Sequence, residues 1–96
     1  KPDFKENSDK IKDEFLMYPN PANNFISIKY AANSSKILNI KVYDNTGNII
    51  LQSNYTVNIG ENNIMFNTSD YANGIYILSI ENESEIYTHK IIVSHK

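Results

Sequence analysis

Short runs in which apolar and polar residues alternate follow one another from Glu14 to the end of the chain. Alternation with a period of two is typical of half-buried β-strands, because successive side chains point to opposite faces of a sheet. Helical periodicity never persists for ten residues, so we predict no helix. The pattern predicts seven strands, Glu14–Tyr18, Phe25–Tyr30, Ile37–Tyr43, Asn48–Tyr55, Asn62–Phe66, Gly74–Glu81 and Glu85–Ser94.

Four of these strands have an apolar face that should point into a core. The residues expected on these faces are Ile26, Ile28, Tyr30, Leu38, Ile40, Val42, Ile64, Phe66, Tyr76, Leu78 and Ile80. Seven short strands at a spacing of roughly ten residues, without helices, predict an all-β antiparallel sandwich.

Turn chemistry separates the strands. Pro19 and Pro21 cannot donate ladder hydrogen bonds, so they should end the first strand. We expect the chain to continue from there extended but unpaired, crossing from one sheet to the other before the second strand. Protection of a sheet edge by these prolines is compatible with this expectation. The sequence Asp44-Asn45-Thr46-Gly47 is typical of a hairpin loop.

A second local signature lies before the sixth strand. Asn73-Gly74 is a turn pair, and Tyr76 follows two residues after the glycine. This spacing matches the tyrosine corner of Greek-key sandwiches, in which the hydroxyl group bonds to upstream backbone. The alternative is that Tyr76 is an ordinary core aromatic with its hydroxyl at the rim.

Residues 1–13 differ from the rest because charged side chains dominate them. Such a segment offers little apolar surface to offset its ordering entropy, so we predict a linker. The chain begins with Lys1 instead of Met, and we expect it to be part of a longer protein. No apolar run approaches the ~20 residues that a membrane-spanning helix needs.

Composition removes several classes of function. The chain has no cysteine and a net charge of −2, and lysine supplies every side-chain cation besides histidine. A nucleic-acid-binding module would normally be basic and use arginine, so we expect no nucleic-acid partner. His89 and His95 would lie about 20 Å apart on a straight strand, too far to share a metal ion. We therefore expect no catalytic cluster, no metal site and no cofactor, and predict that the domain is not an enzyme.

Two weaker chemical possibilities remain open. The oxygen-rich loop from Asp44 to Asn48 could bind calcium, although it lacks the acidic density of calcium loops and a turn explains it better. Exposed tyrosines could form a sugar-binding face, although tyrosine is also a strong strand former. The residues of this possible face are Tyr18, Tyr43, Tyr55, Tyr71 and Tyr87.

Four stretches taken together closely resemble the type A C-terminal sorting domain of the type IX secretion system of Bacteroidetes. They are Tyr18-Pro19-Asn20-Pro21-Ala22-Asn23-Asn24, Val42 to Ile50 around Gly47, Ala72 to Ile80 with Gly74 and Tyr76, and His89-Lys90-Ile91-Ile92-Val93-Ser94-His95-Lys96. The resemblance covers about residues 15–96. Two departures are Tyr71, where the family usually has Leu, and His95 within the lysine-rich tail.

The resemblance implies an Ig-like sandwich that serves as a folded secretion signal. It implies division of the chain into a linker, 1–13, joined to an N-terminal cargo, and a sorting domain, 14–96. The cargo would transit the periplasm, cross the outer membrane through the type IX translocon and end secreted or on the cell surface. A sortase, a cysteine protease, would typically remove the domain and join the cargo to lipopolysaccharide, with cleavage N-terminal to Tyr18.

The expected recognition residues are those of the sorting motifs. They are Pro19, Asn20, Pro21, Gly47, Gly74, Tyr76, Lys90, Ile91, Ile92, Val93 and Lys96. We expect recognition by strand addition along the last strand and tail, with Gly74 and Tyr76 holding that region in shape. Deletion of Ile91–Lys96 should then leave cargo in the periplasm.

The alternative function is an Ig-like or fibronectin-like accessory module, or a carbohydrate-binding module, of a surface enzyme. Such modules occur anywhere in a chain, whereas a sorting domain is terminal. The sequence ends within a few residues of the last strand, and this favours the sorting signal.

Overall fold

The computed structural model describes residues 13–95, which form seven β-strands. The strands are β1 (Glu14–Tyr18), β2 (Phe25–Ala32), β3 (Lys36–Tyr43), β4 (Ile49–Val57), β5 (Gly60–Asn67), β6 (Gly74–Glu81) and β7 (Ile86–Val93). The predicted bounds of β1 and β6 are confirmed, and those of the other strands differ from the prediction by at most two residues at either end.

The strands form two antiparallel sheets, in the orders β1-β2-β5 and β4-β3-β6-β7. The chain moves between the sheets after β2, after β4 and after β5, and forms hairpins within them at the other connections. These are Greek-key connections, because β5 returns to pair with β2 and β6 returns to pair with β3. The predicted antiparallel β-sandwich is therefore confirmed.

The core lies between the sheets and uses the alternation read from the sequence. Leu38, Ile40 and Val42 of β3 are fully buried, and their neighbours along the strand are not. All eleven side chains predicted to face inward are buried. Burying an aliphatic side chain of this size contributes about 1.5–3 kcal/mol each, so the alternation itself specifies which face of each strand points inward.

The proline segment does not carry the chain between the sheets, contrary to the prediction. The strands β1 and β2 on either side of it pair with each other in one sheet, with Tyr18 opposite Ser27. Both peptide bonds that precede Pro19 and Pro21 are cis. The segment from Pro19 to Asn24 is therefore a wide hairpin connection, and its hydrogen bonds decide where it lies.

The sandwich has two ends, the motif end and the anchor end. The motif end is the end at which β1 finishes, β2 begins, β6 begins and β7 finishes. The anchor end is the opposite one, at which β1 begins and β2 finishes.

Asp13 fixes the entry of the chain at the anchor end. Its carboxylate accepts hydrogen bonds from the Tyr30 hydroxyl at 2.7 Å, the Asn33 backbone N–H at 2.8 Å and the Lys36 ammonium at 2.6 Å. Only 2% of the Asp13 side chain and 11% of the Lys36 side chain are exposed. Asp13 was assigned to the linker, yet it is part of the folded domain; the rest of that assignment, residues 1–12, lies outside the described residues.

The protonation equilibria of this cluster follow from its contacts. Burial acts to raise the pKa of Asp13, but the hydrogen bonds from Lys36, Tyr30 and Asn33 outweigh it and hold the pKa below its usual value. Burial, together with the hydrogen bond to Asp13, raises the pKa of the Tyr30 phenol. At neutral pH the Asp13 carboxylate is therefore ionised, and the three groups that contact it all donate hydrogen bonds to it.

Replacing Asp13→Asn should lower the free energy of unfolding by about 2–3 kcal/mol, because Lys36 and Tyr30 lose their acceptor. The folded-state pKa of Asp13 lies below that of the unfolded chain, so its stabilisation is present above about pH 4 and is lost as the pH falls through the folded value. Urea unfolding between pH 3 and pH 7 measures both effects. The control is Glu14→Gln, an exposed neighbour. An acid dependence equally steep in the Asp13→Asn variant would contradict this role.

Candidate functional site

The proline segment lies against the outer edge of β7, in the other sheet. Ala22 donates its N–H to the Ile92 carbonyl at 2.7 Å and accepts from the Ser94 N–H at 2.8 Å. This is a parallel bridge between Ala22 and Val93. The segment was predicted to be unpaired, and the structure corrects this: it covers the edge strand of the four-stranded sheet.

Asn20 extends the bridge by one step with its side chain. Its Nδ2 donates to the Lys90 carbonyl at 3.3 Å, and its Oδ1 accepts from the Ile92 N–H at 3.0 Å. These are the two bonds that the backbone N–H and C=O of a residue opposite Ile91 would make in a parallel ladder. The Asn20 carboxamide thus supplies a donor and an acceptor in place of the backbone of a neighbouring strand. The prolines on either side of Asn20 have no backbone N–H to donate.

The opposite edge of β7 is held by β6. Gly74 lies opposite Val93, and Tyr76 lies opposite Ile91. The Tyr76 hydroxyl donates to the Ala72 carbonyl at 2.5 Å, four residues upstream. The tyrosine corner predicted from the sequence is therefore present, and it fixes the turn that leads into β6.

The remaining part of the proline segment is tied to the β5–β6 connection. Thr68 is fully buried and donates its N–H to the Asn24 carbonyl at 2.9 Å and its hydroxyl to the Asn23 carbonyl at 3.1 Å. These bonds satisfy backbone groups that would otherwise be left without partners beneath the loop. The segment is consequently attached to both sheets.

His95 joins three separate parts of the motif end. Its backbone N–H donates to Asn73 Oδ1 at 2.8 Å, and its ring atoms Nδ1 and Nε2 lie 2.7 Å from Asn23 Oδ1 and from the Tyr71 carbonyl. A carbonyl only accepts, so the Nε2 atom carries a hydrogen in this arrangement. The sequence marked His95 as a departure from the family pattern, and the structure gives it a structural role.

Tyr71, the other departure, packs beside Tyr76. Their ring centroids are 5.2 Å apart and the ring planes are inclined at 40°. The Tyr71 hydroxyl is buried and has no hydrogen-bond partner among residues 13–95. Burial raises the pKa of this phenol. The ring therefore supplies the apolar contact that leucine would make, and its hydroxyl adds no bond.

The Asp44 turn lies beside the start of β6 at the same end. The Asp44 carboxylate accepts from the Thr46 N–H, the Thr46 hydroxyl and the Asn48 N–H at 2.7–3.0 Å, and its pKa is lowered chiefly by the Thr46 hydroxyl. Gly47 has a φ of +92°, a conformation that favours glycine. These bonds are those of a turn, the explanation that the sequence favoured over a calcium loop. A cleft of about 180 Å³ separates the turn from residues 72–76.

Nearly all the predicted recognition residues are thus brought to the motif end. The residues gathered there are Pro19, Asn20, Pro21, Gly47, Gly74, Tyr76, Lys90, Ile91, Ile92 and Val93. Lys96 lies outside the described residues. Their roles differ: Ile91 and Val93 are buried in the core, whereas Lys90 and Ile92 point outward.

The outer backbone edge of this part of β7 is already occupied, so a partner strand cannot simply add there. The outward backbone groups Lys90 C=O, Ile92 N–H, Ile92 C=O and Ser94 N–H are already bonded to Asn20 or Ala22. A partner strand would have to displace the proline segment to reach them. A partner that leaves this segment in place must read the outward side chains.

The five tyrosines proposed for a sugar-binding face are not free on one surface. Tyr55, Tyr71 and Tyr87 pack partly buried against the core. Tyr18 belongs to the three-stranded sheet, whereas Tyr43 belongs to the other. Tyr87 also donates its hydroxyl to Glu85, and this hydrogen bond raises the pKa of Tyr87 to about 12.

Other chemistry has little support in the described part of the chain. Residues 13–95 contain no group of three or more His, Cys, Asp or Glu side chains arranged to hold a metal ion. In the same residues, no helix is long and apolar enough to cross a membrane. What the motif end offers is a fixed surface composed of backbone and side-chain groups from four segments.

Asn20→Ala should expose the Ile92 amide without unfolding the domain, because it removes the two bonds that close the edge there. We expect hydrogen exchange at this amide to be faster by roughly tenfold or more, with little change at β3 amides. Asn24→Ala is the matched control, since Asn24 contributes only a backbone carbonyl to Thr68. Unchanged protection of Ile92 in the Asn20 variant would show that its carboxamide does not close the edge.

Comparison with solved structures finds regions of similar structure within longer chains. The β-glucosidase from Listeria innocua in complex with isofagomine matches with a TM-score of 0.50 and 10% sequence identity, over 88% of this chain and 16% of that chain. Its complex with glucose matches with a TM-score of 0.46 and 10% identity, over 85% and 16%. The first similarity shows a shared fold and nothing of function.

Sequence comparisons give a sharper result. No curated protein sequence matches this chain. The family model of the secretion system C-terminal sorting domain matches residues 16–94, which include all seven strands except the first two residues of β1. Since the match covers nearly all of the described residues, this chain belongs to the family of type IX secretion C-terminal sorting domains.

Proposed function

We propose that this domain directs a cargo, covalently linked at its N-terminal side, across the outer membrane through the type IX translocon. Membership of the family implies a secreted or cell-surface protein. The observation that carries the proposal is the family match over residues 16–94. The proposed route begins with export of the cargo to the periplasm and ends with recognition of the folded domain.

The domain acts in this proposal as a signal and not as an enzyme, and it uses no cofactor. The side chains of Asn20, Thr68 and His95 at the motif end form hydrogen bonds that hold separate segments together. Such an arrangement suits a rigid recognition surface, because a partner that binds it pays little ordering entropy.

The motif end is the proposed recognition region. Segments that are up to 72 residues apart in the sequence meet there through Asn20 and Ile92. A translocation apparatus that accepts different cargoes needs a feature that depends on the folded domain alone. A surface assembled from distant segments meets that need, since an unfolded chain does not present it.

After translocation, we propose that a sortase removes the domain and that the cargo is joined to lipopolysaccharide. The scissile bond lies N-terminal to Asp13 in this proposal. Asp13 is buried and Glu14–Tyr18 pair with β2, so a protease would have to unfold the sheet to reach bonds from Asp13 onward.

Cleavage is tested on the released cargo. Mass spectrometry of cargo from the cell surface should place its new C-terminus before Asp13. A variant in which residues 4–12 are replaced by glycine and serine at equal length separates accessibility from sequence, because it keeps the reach of the chain. A C-terminus found within β1 or beyond would contradict the proposed site.

Secretion is tested with a fluorescent reporter that carries an export signal and all 96 residues. It should appear outside the cell in a strain with type IX secretion and remain in the periplasm of a matched strain without it. Deleting Ile91–Lys96 is a poor test of recognition, since Ile91 and Val93 belong to the core and the domain should unfold. A reporter lacking the domain is the control, and its equal secretion would refute the function.

A further inference from the structure

An exposed apolar patch lies on the outer face of the four-stranded sheet, at the motif end. It consists of Tyr43, Ile49, Ile75, Ile77 and Ile92, here called the isoleucine patch. Each isoleucine is between 37% and 50% exposed. Residues at directly opposite positions in an antiparallel pair share a face. Tyr43 lies opposite both Ile49 and Ile77, and Ile75 lies opposite Ile92, so the patch crosses all four strands.

Two positive charges border the patch. Lys90 lies directly opposite Ile77, and Lys41 is two residues from Tyr43 on the same face. Within residues 13–95, neither lysine forms an ion pair. The Asp44 carboxylate, a negative charge next to the patch, is bonded within its turn. Glu81 lies farther away, opposite Asn39, and Asn39 precedes Tyr43 by four residues on β3.

We propose that the isoleucine patch is the surface that docks on a protein of the type IX apparatus, and that the docking partner presents apolar side chains flanked by carboxylates. This inference rests on the proposed function and names the surface within the motif end. Ile92 connects the two, because its backbone is held by Asn20 and Ala22 while its side chain is part of the patch. The proline segment therefore fixes the position of a docking residue.

Charge favours such a partner over the other occupants. A second copy of the domain docking through the same patch about a twofold axis would place Lys41 and Lys90 of both copies at one interface, where like charges repel. Binding to an anionic membrane would gain only about 1 kcal/mol from each lysine, and the 96-residue chain as a whole carries a net charge of −2. Carboxylates beside apolar groups complement both features of the patch.

The test uses the 96-residue reporter in the secreting strain with single substitutions on the outer face. Ile75→Glu and Ile77→Glu place a carboxylate within the patch, and Lys41→Glu and Lys90→Glu reverse its border charges. Each should lower the secreted fraction at least tenfold. Thermal unfolding of the purified domain identifies any variant that fails to fold, and Ile75→Thr and Ile77→Thr, which keep β-branched side chains, replace such a variant.

Matched controls lie on the same face at the anchor end. Ile37 and Ile86 are 62% and 63% exposed, so they are more accessible than any isoleucine of the patch. Ile37→Glu and Ile86→Glu should leave secretion unchanged. Loss of secretion in these controls to the same extent would overturn the assignment of the patch, as would normal secretion of the folded patch variants.

The remaining outcomes separate the partner from its alternatives. Normal secretion of the lysine variants alone would overturn the carboxylate-bearing partner. Binding of the wild-type domain to anionic phospholipid vesicles, or a dimer in sedimentation, would overturn a protein partner of the apparatus if Ile77→Glu abolished it. Retention of the unsubstituted reporter in the secreting strain would refute the proposed function itself, an outcome distinct from failure of the patch.

Discussion

The closed edge of β7 is the constraint on which the motif end depends. An edge strand presents unpaired N–H and C=O groups, and proteins avoid leaving them open because another strand can add there. Here β6 pairs with one edge of β7, and Asn20 with Ala22 closes part of the other. The hydrogen bonds of a parallel ladder are formed here by the backbone of Ala22 and by the side-chain amide of Asn20. Because this closure ties residue 20 to residue 92, the start and the finish of the domain hold each other in place.

The fold was predictable because its strongest signal is local. Alternation along β3 and β6 specifies which side chains point inward, and turn residues such as Asp44 and Gly47 specify where strands end. The choice of sheet is a different matter. The sequence predicted a crossing between the sheets after β1, yet β1 and β2 pair with each other. Alternation shows which face of a strand points inward, but it does not show which strand lies beside it. Which strands pair depends on contacts between residues far apart in the sequence, and a local pattern does not show these contacts.

The site was predictable only as a set of residues. Motif resemblance named Asn20, Tyr76 and Lys90, and the local spacing of Gly74 and Tyr76 correctly indicated a tyrosine corner. Neither showed that the Asn20 side chain would bond to the backbone of β7, or that these bonds would block strand addition there. Asp13 and His95 were missed because each is a polar residue in an irregular segment whose partners lie 17 to 72 residues away. Buried polar groups of this kind become visible only when the fold supplies their partners.

Asp13 has a consequence for the shape of the whole secreted protein. It fixes the entry of the chain at the end of the sandwich opposite the proline segment. Eight residues of β2 separate the two ends, a distance of about 26 Å at ~3.3 Å per residue. In the proposed function, a passenger attached upstream would join the sandwich at the anchor end, about one strand length from the residues around Asn20. The point of attachment would then be the same for passengers of very different size.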